Sequence, residues 1–195
     1  QARKLGMNGL LAVGAASEHP PCLVRLDYTG APSTKSRTVV VGKTITFATT
    51  PDERYPGGGP DELIDGFTAS SNYQFGWQGW WGKDPVITLD LGDAEEIEEL
   101  SLRCLQAVSS WILLPRFVEF QSSDDGQHWR PIRGGDHDVP IEAGGQRVFD
   151  FSVKFEHPIH ARYVRAILVN AGKLPAWHLG AGGDSWIFAD EFVVR

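Results

Sequence analysis

The sequence predicts an all-β fold of about eight antiparallel strands, arranged as a sandwich or jelly roll, on three observations. Short segments that alternate apolar and polar residues recur from residue 86 to the C-terminus. Turn-forming residues separate them, and the 195 residues include 22 glycines and 12 prolines. No segment has the periodicity of a long helix. A chain of this length can bury one core and still carry a lead-in segment.

The charge of the chain argues against two classes of partner. The formal net charge is -7, whereas nucleic acids and anionic membrane surfaces are bound by clustered lysine and arginine. No apolar run is long enough to span a bilayer. We therefore expect no nucleic-acid partner and no insertion into a membrane.

The two cysteines allow at most one disulfide bond. Cys104 lies on the apolar face of a predicted strand, which favours a buried free thiol. The pairing of Cys22 stays open. The cysteines therefore do not fix the compartment.

Residues 1–42 form a lead-in that either ends a preceding domain or packs against the next one. Residues 22–27 and 38–41 are candidates for short strands, and residues 28–33 form a turn or loop. The chain begins abruptly at Gln1, which favours the cut edge of a longer polypeptide over a signal-peptide remnant. Residues 43–195 are expected to form the sandwich.

The stretch at residues 76–92 organises the rest of this domain. Three tryptophans among glycines precede a strand at residues 86–91. Ile87, Leu89 and Leu91 share one face of that strand. An aromatic-rich loop at the end of a buried strand is suited to presenting a rigid binding surface.

Turn residues and further alternating segments mark the remaining elements. The sequence Ser-Asp-Asp-Gly at 123–126 predicts a hairpin turn with glycine at positive φ. The other expected strands are residues 44–48, 97–105 after an acidic turn, 117–122, 129–132, 147–155, 163–169 and 186–194. The expected loops are residues 70–83, 106–114, 134–145 and 171–185, and residues 61–64 fit one helical turn.

Several short motifs occur in one order along most of the chain. They are Leu-Ile-Asp-Gly (63–66), Trp77, Val-Ile-Thr-Leu-Asp-Leu-Gly (86–92), Val-Glu-Phe-Gln-Ser-Ser-Asp-Asp-Gly-Gln-His-Trp (118–129), Ala-Arg-Tyr-Val-Arg (161–165) and Asp-Glu-Phe (190–192). Together they resemble the discoidin family, also called F5/8 type C, whose sugar-binding branch is carbohydrate-binding module family 32. Residues 55–63 and 174–183 are similar to the variant appended to bacterial glycoside hydrolases such as β-N-acetylhexosaminidases. The lead-in before Lys43 is outside the resemblance.

The resemblance implies a jelly-roll sandwich of the galactose-binding type, with a five-stranded and a three-stranded sheet. It implies a ligand site in the loops at one pole, and often a structural calcium ion near the chain ends. It also places Trp77 and Trp129 at core positions.

Three loops contain the groups that bind sugars. Sugars present apolar C–H faces and hydroxyl rims, which proteins bind with an aromatic plate and a few directed polar groups. Both aromatic and polar side chains occur in the loops at residues 78–84, 106–116 and 170–186, and the resemblance places these loops at one pole. The alternative for Trp111 and Trp177 is that they stack on each other and hold two long loops together. The candidate plates are Trp80, Trp81, Trp111 and Trp177, and the candidate hydrogen-bonding partners are Arg116, His178 and Asp184.

A calcium site is suggested by oxygen-bearing side chains at family positions. Asp65 and Glu191 match ligand positions of the resembled family, and Thr68 adds an oxygen. The pattern departs from the family at residues 67–76, where Phe67 follows the glycine and a longer loop intervenes. The alternative is that Asp65 makes only an Asx turn.

These residues support three functional hypotheses. The first is a non-catalytic carbohydrate-binding module that targets an attached glycoside hydrolase, secreted, periplasmic or on the bacterial surface, to terminal galactose- or N-acetylhexosamine-type sugars. The second is a protein- or lipid-interaction domain, or a docking domain without a free-sugar ligand. The third, an enzyme, is disfavoured because no nucleophile elbow, zinc-binding helix or Cys-His arrangement occurs.

Overall fold

The computed structural model describes residues 40–195 in full and, within residues 1–39, only four short strands. Strands β1 (Ala2–Leu5), β2 (Leu10–Val13) and β3 (Cys22–Arg25) form an antiparallel sheet, and β4 (Thr34–Lys35) pairs with β6 (Phe67–Thr68). The side chain of Cys22, the predicted loop at 28–33 and the first half of the predicted strand at 38–41 lie outside the described residues.

Two long strands form the framework of the main domain. Strand β8 (Val86–Ala107) and strand β11 (Gln146–Val169) pair antiparallel over most of their length. The remaining elements are β5 (Thr44–Phe47), β7 (Gln78–Trp81), β9 (Phe117–Ser123), β10 (Arg130–Gly135), β12 (Trp186–Val194) and two short 3-10 helices, Glu62–Ile64 and Val108–Ser110. The predicted all-β class is confirmed.

Each long strand contributes to both layers of the sandwich. The first half of β8 and the second half of β11 lie in one layer, in the order β10-β9-β11-β8-β5. The other halves lie in the second layer, in the order β11-β8-β12-β7. The bends fall where the β8–β11 register shifts, between Lys154 and Ile159 and between Ala161 and Tyr163. The second layer therefore has one short strand more than the resemblance implies.

The two layers enclose one large core. Ile87, Leu89 and Leu91 are fully buried, as the alternation predicted. Across the core, the rings of Phe120 and Phe192 lie 5.9 Å apart between centroids. Cys104 is a buried free thiol, as expected, and burial raises its pKa well above the ordinary value.

Three boundaries differ from the predictions. Residues 92–96 are not a turn, because β8 stays paired with β11 through Glu95 and Glu96 while its acidic side chains face outward. For the same reason residues 147–155 and 163–169 belong to one strand. Residues 78–81 are not loop but strand β7, which pairs with β12. Their sequence lacks period-two alternation because Gln78, Gly79 and Trp80 are all buried.

Candidate functional site

The three predicted aromatic loops meet at one end of the sandwich, which we call the loop pole. The indole Nε1 of Trp81 donates a hydrogen bond to the Asp184 carbonyl at 3.1 Å. The Trp186 amide donates to the Trp111 carbonyl at 2.8 Å, which ties the loop at 108–116 to the start of β12. The predicted assembly of these loops at one pole is therefore observed.

The most organised surface at this pole is the Trp81 patch, formed by Trp81, Trp186, Arg54 and Asp52. The Trp81 and Trp186 rings are stacked, with centroids 5.7 Å apart and an interplanar angle of 15°. The Arg54 guanidinium lies 4.7 Å from the Trp81 centroid and 4.6 Å from the Trp186 centroid. Trp81 still exposes 39% of its surface. The patch thus presents a held aromatic ring beside a cation.

Asp52 fixes the position of Arg54. Its carboxylate accepts hydrogen bonds from Arg54 Nε at 2.8 Å and from Nη2 at 3.0 Å. The bond from Arg54 lowers the pKa of Asp52 to about 2. Since both guanidinium bonds come from one side, the stacking of Arg54 over the rings is set before any ligand arrives.

Trp80 cannot serve as a binding plate, which corrects the sequence-based expectation. It is 0% exposed, packs 6.1 Å from Phe47 and donates its Nε1–H to the Thr49 carbonyl at 2.8 Å. The physical reason is the pleat of β7, which sends consecutive side chains to opposite faces. Trp80 therefore belongs to the core, and its neighbour Trp81 belongs to the surface.

Charged groups border the Trp81 patch. Asp184 pairs with Lys173 at 2.7 Å, and both side chains are partly exposed. Gly82 allows this approach, because a Cβ there would lie 2.9 Å from the Asp184 side chain. Arg116 is exposed at the same pole and donates its Nε–H to the Asn170 carbonyl at 3.0 Å. Asp184 and Arg116 are thus at the loop pole, as expected, and each is bonded to another group of the protein.

His178 is a buried structural group rather than a ligand-binding group, a second correction. Its Nε2 lies 2.7 Å from the Val108 carbonyl, and its Nδ1 accepts the Gly180 amide at 2.9 Å. The tautomer with hydrogen on Nε2 satisfies both contacts. Because both ring nitrogens are engaged within the protein, neither is available to a sugar hydroxyl.

His178 also explains how the two long loops are joined. Its ring meets Trp111 at 6.3 Å and Trp177 at 5.9 Å, edge to face in both cases. Trp111 has φ 67°, and Gly180 packs so closely under it that a Cβ would lie 2.6 Å from the indole. We call this unit of Trp111, His178 and Gly180 the His178 clasp. The loops are held through the histidine, not by stacking of Trp111 on Trp177.

The tip of the same loop is exposed. Trp177 exposes 54% of its surface, and Leu179 is fully exposed on the other side of the buried histidine. An exposed tryptophan and leucine two residues apart form a small apolar surface. This tip is a second place at the loop pole where a partner can bind.

A buried acidic cluster lies away from the loop pole, beneath the helix at residues 62–64. Glu191 is 0% exposed, and neither of its oxygens has a hydrogen-bond partner. Burial, and then the neighbouring charge of Asp190, raise the pKa of Glu191 to about 10. The nearby Gly66 amide lowers this pKa in part, although it does not form a hydrogen bond to Glu191. Asp190 is engaged, since it accepts the Ala69 amide at 2.6 Å and faces Arg103 at 3.4 Å.

The donor set at Glu191 fits a hard cation in part. Asp65 forms an Asx turn, in which its Oδ1 accepts the Phe67 amide at 2.8 Å. Thr68 lies in the adjacent β6 and is half-buried. Within the described residues, no three His, Cys, Asp or Glu side chains converge into a metal cage. A calcium ion here would therefore need backbone carbonyls and the Thr68 oxygen besides the carboxylates.

Two groups of site residues were absent from the sequence-based expectations. Asp52 and Arg54 lie between the predicted strand at 44–48 and the stretch at 55–63, and nothing in their spacing places them beside Trp81. Glu62 is buried beside Glu191 and adds negative charge there. Its position in an Asp-Glu pair before two apolar residues resembles an ordinary helix start.

Comparison with known proteins identifies the family. The F5/8 type C domain model matches residues 44–187, which is most of the chain. The chain belongs to this family. Domains of this family are non-catalytic, which fits a binding role for residues 44–187.

A solved structure with the same fold is the f-lectin (fucolectin) from the serum of the striped bass, Morone saxatilis. It is 15% identical, with a TM-score of 0.52, over 83% of this chain and 49% of that one. A family 32 carbohydrate-binding module from Clostridium perfringens, solved with GalNAc-beta-1,3-galactose, is 20% identical with a TM-score of 0.48, over 81% of this chain and 99% of that one. Together with the strand pairing, the likeness to the fucolectin supports the β-sandwich fold.

The lead-in is similar to a different family. Residues 1–50 match the catalytic domain model of the cytosol aminopeptidase family. A probable cytosol aminopeptidase of Pseudomonas paraeruginosa is 48% identical over 61 residues, 31% of this chain. The chain spans about 12% of the length of that relative. Within the described residues, we find no helix whose length and apolar character would suit a membrane crossing.

Proposed function

We propose that this domain is a carbohydrate-binding module whose site is the Trp81 patch. The observation that carries the proposal is one tryptophan, 39% exposed, held against Trp186 and beside a fixed guanidinium at the loop pole. A rigid ring can stack on the apolar face of a sugar, and the charged rim can accept or donate hydrogen bonds to its hydroxyls. Membership of a family with a sugar-binding branch supports the same conclusion.

The mechanism we propose is targeting. Weak binding of a terminal galactose- or N-acetylhexosamine-type sugar keeps an attached catalytic domain near its substrate by raising effective concentration. A secreted or surface glycoside hydrolase is the attached enzyme that the resemblance suggests. The similarity of the lead-in to cytosol aminopeptidases favours a peptidase as the second candidate for the attached part.

The test is a glycan-array screen of the purified chain, followed by titration of the best glycan. We expect Trp81→Ala to weaken binding by roughly tenfold or more, as loss of a central aromatic contact does. Trp129→Ala is the matched control, because this half-buried tryptophan lies beyond the opposite end of β9. A folded protein that binds no glycan overturns the proposal, and loss in Trp177→Ala alone moves the site to the loop tip.

The loop tip favours a second candidate function, docking of a protein or lipid surface. Its basis is the exposed pair Trp177 and Leu179. The net charge of -7 weakens the version in which the surface is anionic lipid. Co-sedimentation with zwitterionic and anionic vesicles, with and without Trp177→Ala, tests this alternative separately from the glycan screen.

We also propose a structural cation at Glu191, held by Glu191, Asp65 and Thr68 with backbone carbonyls. The support is a buried carboxylate with no hydrogen-bond partner for either oxygen. Such a group is costly to bury unless it is neutral or paired. Calcium prefers oxygen ligands of this kind. The ion would bind the loop at residues 65–68 to β12 and would take no part in sugar binding.

A further inference from the structure

A groove runs along the flank of the sandwich, away from the loop pole. Its volume is about 710 Å³, which is within the range of small-molecule sites. One wall is β10, an outer strand paired only with β9 among the described residues. The other wall is the part of β11 between Val153 and His160, which includes the interruption of its register with β8. The groove therefore lies beside a stretch of β11 that is not regularly paired with β8.

The groove is cationic although the chain is acidic. Arg130, Arg133, Lys154 and His160 line it, with Glu156 as the one carboxylate among its lining residues. Arg130 is engaged with Asp124 at 2.8 Å. Arg133 and Lys154 are exposed and have no ion-pair partner within the described residues. In a chain of net charge -7, two unpaired cations facing one groove indicate an anionic ligand.

The floor of the groove is apolar. Ile132, Phe155 and Ile159 are half-buried and pack against the main core, and Val153 is buried beside them. A small inorganic anion would leave this floor uncovered. The chemistry therefore suits a ligand that has both an anionic group and an apolar face.

The edge of β10 disfavours an added peptide strand. Pro131 has no amide hydrogen, and the register of β10 shifts between Pro131 and Arg133. Both features are typical of strand edges that avoid pairing with another chain. An acidic sugar needs no backbone ladder and can rest its C–H face on the apolar floor.

We infer that this groove binds an acidic sugar, with its carboxylate or sulfate between Arg133 and Lys154. The choice of a sugar rests on the proposed carbohydrate-binding function, whereas the choice of an anion rests on the groove alone. The site is separate from the Trp81 patch, so the domain would bind a neutral sugar at the pole and an acidic one on the flank.

The test is calorimetric titration of the whole chain with three oligosaccharides of equal length: one with carboxylates (galacturonate), one sulfated and one neutral. The two acidic probes distinguish the source of the anion. We expect Arg133→Gln with Lys154→Gln to weaken acidic-sugar binding by roughly fivefold to tenfold, the contribution of two exposed ion pairs. Glu156→Gln should tighten binding, and added salt should weaken it.

Arg147→Gln is the matched control, since Arg147 is an exposed arginine at the start of β11 outside the groove. If acidic-sugar affinity falls equally in this control and in the groove variants, the inference is overturned, because the loss would then come from the change in net charge. It is also overturned if neither acidic sugar binds more tightly than the neutral one, if an acidic peptide binds more tightly than both, or if Trp81→Ala abolishes acidic-sugar binding. Failure of neutral-sugar binding at the pole, with acidic binding intact, contradicts only the proposed function.

Discussion

The Trp81 patch and the His178 clasp are both aromatic groups in the loop pole, but they use their aromatic residues in opposite ways. In the patch, Trp81 keeps 39% of its surface exposed while its backing is fixed by Trp186 and Arg54. In the clasp, both nitrogens of His178 are bonded to the protein, and Gly180 closes one face of Trp111. The patch has a surface left for a ligand, whereas the clasp has little.

The difference shows that aromatic content does not by itself identify a binding loop. What distinguishes the two regions is whether the polar atoms already have hydrogen-bond partners, and the ring faces already have packing partners, within the protein. A group whose contacts are complete stabilises the loop, and a group held from one side can bind a partner. Five substitutions in these two regions test this distinction, and a sixth, at Glu191, tests the acidic cluster for comparison.

The largest effect is expected from the two consecutive tryptophans of β7. Trp80→Ala removes a fully buried indole and should lower the free energy of unfolding by about 3–5 kcal/mol. Trp81→Ala should lower the free energy of unfolding by only about 1–2 kcal/mol, because its ring is only partly buried, and should weaken glycan binding by roughly tenfold or more. Urea denaturation and glycan titration measure the two quantities. If Trp81→Ala destabilises as much as Trp80→Ala, the patch is part of the core and the contrast fails.

The next effect concerns the acidic cluster, which neither aromatic region contacts. Calcium at one hundred times its dissociation constant should stabilise the fold by about 2.7 kcal/mol. Glu191→Gln should remove this response, because it removes the unpartnered carboxylate. Thermal melts with calcium and with EDTA measure this stabilisation. The glycan affinity should be the same under the two conditions. A melting temperature that calcium leaves unchanged in the original chain contradicts the cation site.

A smaller effect is expected in the clasp. His178→Ala leaves the Val108 carbonyl and the Gly180 amide without their partner, at a cost of about 1–3 kcal/mol. Trp177→Ala, in the adjacent exposed position, should change stability by less than about 0.5 kcal/mol. Hydrogen exchange of the loop at residues 174–183 should rise in the first variant only. Equal protection in the two variants would mean that His178 does not hold the loop.

The smallest effect is a pH dependence in the patch. Because Arg54 lowers the folded-state pKa of Asp52 to about 2, the pair stabilises the fold above the ordinary aspartate pKa of about 4, and this contribution is lost as pH falls from about 4 to 2. Asp52→Asn should therefore lower stability slightly at neutral pH and match the original chain near pH 2. Acid titration followed by tryptophan fluorescence compares them. A gap that persists at pH 2 would contradict the ion pair as its cause.

Much of the fold was predictable because it depends on local patterns. Period-two alternation located β9 and the apolar face of Ile87, Leu89 and Leu91, and the Asp-Gly turn located the β9–β10 hairpin. The same signal misplaced the bends of β8 and β11. Acidic residues at a bend and acidic residues in a turn give the same pattern, and only the pairing with the neighbouring strand distinguishes them.

The sequence by itself determined the family, the order of the strands and the loops that carry the tryptophans, since these follow from turn residues and alternation along the chain. Only the tertiary structure decided that Trp81 faces solvent while Trp80 is buried, that Arg54 lies against the Trp81 and Trp186 rings, and that Glu191 has no hydrogen-bond partner. The physical reason is that the exposure of a side chain and the hydrogen bonding of a polar group depend on residues distant in sequence. Trp81 lies against residues 54, 184 and 186. Contacts between residues so far apart in the chain cannot be predicted from a local sequence pattern.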